Sequence, residues 1–180
     1  MIKKNIIKAN FSIDDSLNNQ YNKKLFLKYN KVKKNILKDT NNPKSIYNIL
    51  DEKYNFNFKL KDLKKFKKFR NIVIIGMGGS ILGSEAIYYF LRNRIRKNLF
   101  FFDNLNSEEI DEFKRKKLKN TLYIIISKSG NTLETLINLV ALRIIKKNKK
   151  NIILISEKKN NVLFNLSKKF KLFFIEHKSH

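Results

Sequence analysis

From Arg70 onward the sequence alternates short, almost unbroken apolar runs with longer segments of helical spacing, and few folds accept that pattern. The runs are Asn71 to Ile75, Asn98 to Phe102, Thr121 to Ile126, Asn151 to Ile155 and Lys171 to Ile175. Short, β-branched and aromatic, with little polar alternation, they suit strands buried on both faces of a parallel sheet. The segments between them, Ser80 to Arg92, Ser107 to Leu118, Thr132 to Lys147 and Asn160 to Phe170, have the length and periodicity of helices. The expected fold is therefore α/β, a five-stranded parallel sheet with helices on both faces in three α/β/α layers and right-handed crossovers. Ligands of such sheets bind beyond the carboxyl ends of the strands, where strand order reverses. Chemistry is to be sought just after the strands.

The first 70 residues read differently. Leu17, Tyr21, Leu25, Phe26, Tyr29, Val32 and Leu37 recur at three- and four-residue spacings between Asp14 and Leu37, which predicts an amphipathic helix in need of a partner surface. Asn41-Asn42-Pro43 reads as a helix entry with Pro in the first turn. Leu60, Leu63, Phe66 and Phe69 predict a further helix with a Lys-rich outer face. No Gly or Ser linker follows, so residues 1–70 are expected to pack as N-terminal helices on a domain formed by residues 71–180. At 180 residues the chain accommodates one such domain with an appended segment, not two full domains.

Composition excludes several classes. Hydrophobic residues make up 42% of the chain but are interrupted every few positions, and no stretch approaches the roughly 20 apolar residues of a membrane span. The start, Met1-Ile-Lys-Lys-Asn-Ile-Ile-Lys, lacks the apolar core of a secretory signal, so a cytoplasmic location is expected. There is no cysteine and hence no disulfide or thiolate chemistry. The net charge of +25 raises the question of nucleic acid. However, Lys is spread over almost every expected helix beside abundant Asn, Ile, Phe and Tyr, the residue set of A/T-rich codons, and no nucleic-acid-binding motif accompanies it. The charge is read as a solvated surface that favours approach of anionic small molecules.

Two loops carry the chemistry. Gly76-Met77-Gly78-Gly79-Ser80-Ile81-Leu82-Gly83 follows the first strand and opens a helix. Its glycines permit tight turning and close approach of backbone to a ligand, and the helix N-terminus offers N–H groups to an anion. The spacing departs from the dinucleotide fingerprint, and only Asp103 stands near the ribose-binding position. A glycine turn that merely packs strand against helix is the structural alternative. Ser127-Lys128-Ser129-Gly130-Asn131-Thr132-Leu133-Glu134-Thr135 follows the third strand. Here the hydroxyls of Ser127, Ser129 and Thr132 and one ammonium gather at the mouth of a helix whose macrodipole favours an anion. The alternative is an ordinary helix cap by Ser129 or Thr132, with Glu134 in the first turn. Neither loop ends in the Gly-Lys-Ser/Thr of a nucleotide P-loop, which points to a phosphorylated small molecule.

Together the two loops resemble the phosphoglucose isomerase family, whose members carry a Gly-x-Gly-Gly-Ser-x-Leu-Gly turn and later a Ser-Lys-Ser/Thr-x-x-Thr-x-Glu segment. The similarity covers roughly residues 70 to 176. It implies a sugar isomerase (SIS) fold in which Ser127, Lys128, Ser129, Asn131 and Thr132 bind or flank the substrate phosphate. It further implies that Gly78, Gly79 and Ser80 line the sugar and that Glu134 orients groups around it. Asn131 stands where many relatives have Thr, exchanging a hydroxyl for an amide that can still donate.

The reaction the resemblance implies is aldose–ketose isomerisation of glucose 6-phosphate and fructose 6-phosphate, a step of glycolysis and gluconeogenesis. It proceeds by proton transfer through an enediolate and needs no cofactor or metal. It requires a carboxylate base and a cation for the developing oxyanion. In the family these follow later, beginning at a Gly-Gly-Arg segment after the fifth strand. His177, His180 and Glu176 are poor stand-ins, so no catalytic residue is assigned in this chain. The expectation is a fragment that holds the phosphate-binding half of an enzyme whose full-length form is a homodimer. It binds phosphosugar without turning it over, with no nucleic-acid or membrane partner. The alternative is a freestanding, non-catalytic SIS module that binds a sugar phosphate.

Overall fold

The computed structural model describes residues 19–40, 42, 45, 47, 55–145 and 150–178. They fall into two units, one reaching Asn55 and the other running from Phe56. In the first unit, helix α1 (Asn19–Thr40) is unbroken over 22 residues, with Tyr21, Leu25, Phe26, Tyr29, Val32 and Leu37 exposed. The expected helix entry at Pro43 lies outside the described residues, as does the stretch from Asp14 to Asn18.

The second unit holds the sheet. Its elements in chain order are α2 (Leu60–Leu63), β1 (Asn71–Ile75), α3 (Leu82–Leu91), β2 (Asn98–Phe102), α4 (Ser107–Arg115), β3 (Thr121–Ile126), α5 (Leu133–Ala141), β4 (Ile152–Ser156), α6 (Val162–Phe170) and β5 (Phe173–Glu176). The five strands are all parallel in the order β2-β1-β3-β4-β5. The chain thus steps from β1 to one side and then back across it, and order reverses between β1 and β3. Such a sheet must be covered twice, because alternate residues of each strand project to opposite faces. On one face Val73, Ile75, Phe102, Ile125, Ile152 and Leu154 meet Ile110 and Phe113 of α4, Leu139 of α5 and Leu163 of α6. On the other, Leu122 and Ile153 meet Phe66 and Phe69 from the segment after α2, with Leu63, Phe173 and Ile175 packed at the margin. Tyr88 of α3 stacks near Phe101 of β2, with ring centroids 5.5 Å apart. The α/β sheet expected from the apolar runs is the sheet observed.

Helices α4 and α5 end earlier than their periodicity suggests, at Arg115 and Ala141, whereas α6 ends at Phe170 as expected. Lys117, Arg143 and Lys171 take the left-handed conformation just past α4, α5 and α6. Behind α5 and α6, Ile144 N–H donates to Leu139 C=O (3.3 Å) and Leu172 N–H to Ser167 C=O (3.0 Å), which closes the last turn. Ile144 and Leu172 are then driven into the core. Ile144, which the expected helix Thr132 to Lys147 included, is the plug that stops α5. No helix among the described residues is long and apolar enough to cross a membrane.

Candidate functional site

Strand order reverses between β1 and β3, so the loops leaving these two strands stand side by side at the carboxyl end of the sheet. A Cβ on Gly76 would lie 3.0 Å from the carbonyl oxygen of Ile126, the last residue of β3, so a side chain there would press the two strand ends apart by a few tenths of an ångström. The β1 loop continues as a 3-10 turn, Gly78–Ser80, in which Gly78 has φ +51°, and fully buried Ile81 pins the entry to α3. Gly78 and Gly79 are exposed and nothing would meet a side chain there, while Ser80 is half-buried. The backbone of the expected sugar-lining turn is therefore open at the strand end.

The β3 loop is more highly organised. Ser127 is buried, and its N–H donates to Ile155 C=O of β4 (3.0 Å). Its Oγ lies 2.8 Å from Thr132 Oγ1 and 3.4 Å from Ser129 Oγ and accepts from Gly130 N–H (3.1 Å). Ser129 Oγ also accepts from Asn131 N–H (3.2 Å). The three hydroxyls singled out from sequence thus converge at the start of α5. Thr132 occupies the position before the first residue of α5, yet its side chain makes no capping bond to the helix. The ordinary-cap alternative is not what the loop does with Thr132.

The helices α4 and α6 are capped conventionally, by Asn106 accepting from Glu108 and Glu109 N–H and by Asn161 accepting from Phe164 N–H. Neither α3 nor α5, the helices beginning beside the strand-order reversal, has a side-chain cap. A helix N-terminus leaves several N–H donors without intrahelical partners. Two such ends follow the neighbouring strands β1 and β3, three hydroxyls gather at the second of them, and hydroxyls with free N–H groups are complementary to an oxyanion.

Not every expected residue faces this set. Lys128 is exposed, and its carbonyl accepts from Glu157 N–H (2.9 Å). Asn131 spends its amide oxygen on Val162 N–H at the start of α6 (3.0 Å), so its oxygen braces α6 and only its NH2 is available for an anion. Glu134 is exposed. Asp103 is exposed beyond the edge strand β2 and away from the reversal. His177 is exposed beyond β5, its Nδ1 3.0 Å from Lys178 C=O, and the carbonyl of Glu176 accepts from Asn57 Nδ2 (3.2 Å).

Two bracing residues carry no motif in the sequence. Buried Asn161 caps α6 and lies so close to Gly130 (φ +70°) that no side chain fits there, while Leu163 N–H donates to Gly130 C=O (3.1 Å). The carboxylate of Glu157 pairs with Lys159 Nζ (2.8 Å). That hydrogen bond, aided by the fields of Lys159, Lys128 and His177, holds it below the usual carboxylate range. Asn161 was signalled only as an Asn preceding the apolar residues Val162 and Leu163, and its contact across to Gly130 has no sequence mark.

A family model for phosphoglucose isomerase matches residues 17–177. The chain is 37% identical over 147 residues to the glucose-6-phosphate isomerase of Borreliella burgdorferi (strain ZS7), a match covering 74% of this chain and 27% of the relative. It is 46% identical over 82 residues to that of Methanocaldococcus jannaschii, covering 43% of this chain and 20% of the relative. The match thus takes in about a quarter of the Borreliella relative's length. The same fold occurs in the crystal structure of a hypothetical protein from Thermus thermophilus, with a TM-score of 0.68 at 20% identity over 88% of this chain and 40% of that one. The match to the family model spans both loops, the sheet between them and most of the segment before it, and the chain belongs to the phosphoglucose isomerase family.

Proposed function

We propose that the chain is the phosphate-holding part of a glucose-6-phosphate isomerase, the activity named for the relatives it matches. The observation that carries this reading is the convergence of Ser127, Ser129 and Thr132 hydroxyls on an uncapped helix start. In this reading the three hydroxyls and the first-turn N–H groups of α5 hold the phosphate of glucose 6-phosphate or fructose 6-phosphate. The open backbone of Gly78 and Gly79, with Ser80, lies along the sugar. The Ser127–Thr132 hydrogen bond opens so that each oxygen donates to phosphate, and the dianion is stabilised by charge-assisted bonds in place of neutral ones.

Isomerisation also needs a base that moves a proton between C2 and C1. Glu134, the acidic residue nearest in sequence to the cradle, is exposed, and the residues meeting at the cradle supply hydroxyls and amides. In this reading the chain binds phosphosugar and does not turn it over by itself.

Titration calorimetry with glucose 6-phosphate, glucose and inorganic phosphate, alongside an isomerase assay, tests both parts. Glucose 6-phosphate and phosphate should bind and glucose should not. Ser127→Ala and Thr132→Val should each weaken binding by about 10-fold or more, the loss of a hydrogen bond to a charged group. Binding of glucose as tight as its phosphate ester, or indifference to both substitutions, would remove the cradle. Turnover at ordinary enzyme rates would place the base within this chain.

A further inference from the structure

Asn138 stands where neither helix propensity nor burial favours it. It lies in the second turn of α5, inside the run Leu136-Ile137-Asn138-Leu139-Val140, and asparagine is a poor residue for a helix interior. Its side chain is fully buried. Its Nδ2 donates to the carbonyl of Asn104 (2.8 Å), and its Oδ1 has no hydrogen-bond partner among the described residues. Thr135 Oγ1, one turn earlier on α5 and equally buried, has none either. A buried polar atom left unpaired lowers stability. Leucine at position 138 would suit both the helix and its apolar surroundings, and the bond it would break ends on Asn104, an exposed residue that water can reach. Stability alone therefore does not account for this asparagine, and residues that cost stability gather where function needs them.

The two ends of the Asn138 bond show what it connects. Asn104 stands two residues after Phe102, the last residue of β2, whose carbonyl accepts from Gly76 N–H (3.2 Å) at the head of the β1 loop. On its other side the Asn104 loop is fixed by Asn106, which accepts from Glu108 and Glu109 N–H at the start of α4. The bond therefore holds α5 to a segment that is itself fastened to the β1 loop and to α4. It grips α5 six residues after Thr132, about 9 Å along the helix axis from the hydroxyl cluster. The start of α5 has no side-chain cap, and Thr132 is tied to the β3 loop by its hydrogen bond with Ser127 (2.8 Å). When that bond opens to an arriving phosphate, as in the reading above, the tie is lost at the moment the helix start is needed in place. Leu139 still anchors the helix in the core, but apolar contact is non-directional. Rotation about the helix axis is left to a directional bond, and Asn138 makes one.

We infer that Asn138 is a positioning residue of the anion cradle, which holds α5 to the segment after β2 and so fixes the direction of the first-turn N–H groups and of the Thr132 hydroxyl. The inference rests on the phosphate-binding reading of the cradle. Fully buried, Asn138 acts through α5 and not on the anion. A helix start without a cap is useful to an anion only if it is aimed beforehand, because hydrogen bonds to a charged group are directional and weaken steeply when misaligned.

The test pairs calorimetric titration of the 180-residue chain with inorganic phosphate against its urea midpoint, for wild type, Asn138→Leu and Phe113→Leu. Asn138→Leu should weaken phosphate binding about ten-fold, the equivalent of one hydrogen bond to a charged group. Its urea midpoint should stay at the wild-type value or rise, since the substitution removes an unpaired buried oxygen and places a better helix former in α5. Phe113, in the core on α4, serves as the contrast: Phe113→Leu should lower the midpoint and leave phosphate affinity unchanged. A residue that merely supports the fold would give Asn138→Leu the Phe113→Leu pattern, a lower midpoint with undiminished affinity, and that result overturns the inference. So does a loss of affinity in Phe113→Leu as large as in Asn138→Leu, which would make general loosening the cause. If Asn138→Leu fails to fold, Asn138→Ala decides, since alanine favours the helix and cannot reach Asn104. Folded Asn138→Ala that binds phosphate as tightly as wild type overturns the inference and leaves the cradle standing, whereas wild type that binds no phosphate removes the cradle itself.

Discussion

Gly130 shows how much of the β3 loop rests on one missing side chain. Its φ of +70° is left-handed, and the amide of Asn161 occupies the place of its Cβ. Gly130→Ala therefore incurs two separate costs, left-handed strain of about 1–2 kcal/mol and an overpacking term of about 1–3 kcal/mol. Urea unfolding should show the sum, and adding Asn161→Ser should restore the overpacking part only. Recovery to wild-type stability would mean that the backbone conformation costs nothing. Glu157 supports the same loop from β4 through its bond to Lys128 C=O. Because its folded pKa lies below the ordinary 4.5, it adds stability above that value, lost as pH falls through the folded pKa. Unfolding followed from about pH 5 to pH 3 should show that loss, and Glu157→Gln should flatten it. An unchanged slope would assign the acid sensitivity to other carboxylates. The hydroxyls of this loop were legible because Ser and Thr in a cluster after a strand have few other uses. Asn161 was not, since its partner lies on a different loop and only the fold brings them together.

Among the elements, the strands are legible almost residue for residue and the end of α6 is as expected, whereas the ends of α4 and α5 are not. A strand buried on both faces is limited by the apolar run itself, so its bounds are written in composition. The end of a helix is set by the residue that turns left-handed, and glycine, the usual mark, is scarce in a chain with only 5. Lys117, Arg143 and Lys171 take that conformation without advertising it. Lys171, with φ 52° and ψ 48°, carries the Cβ cost that glycine avoids. Lys171→Gly should then stabilise the chain by about 1 kcal/mol in urea unfolding, with Arg143→Gly acting in the same direction. Destabilisation by both would mean that their side chains contribute more than the strain they cause. At the other helix end, the side-chain caps on α4 and α6 and their absence on α3 and α5 separate helices that only cross over from those that border the reversal of strand order.

At the scale of the whole molecule the charge of +25 is the largest uncompensated quantity. Where both partners are described residues, the ion pairs are Lys114–Asp111 and Lys159–Glu157, few against so large a charge. Many ammonium groups instead sit over aromatic rings, such as Lys65 over Phe173 (4.1 Å) and Lys168 over Phe164 (4.2 Å). These contacts act at short range, where the mobile ions of the solvent screen least, and the lysine stems also shelter the rings from water. Repulsion among 40 cations acts over longer distances and is cut sharply once the Debye length falls from about 30 Å at 0.01 M to about 8 Å at 0.15 M. Sodium chloride over that range should therefore raise the thermal midpoint of the chain, and further salt should change it little. Chloride and glutamate salts should act alike if screening is the cause, whereas inorganic phosphate at the same ionic strength should stabilise more if it also occupies the hydroxyl cluster at the start of α5. That surplus should vanish in Thr132→Val, which separates a bound anion from a screened field. A midpoint that falls as salt rises would show that local attractions, and not net repulsion, govern the stability of this basic chain.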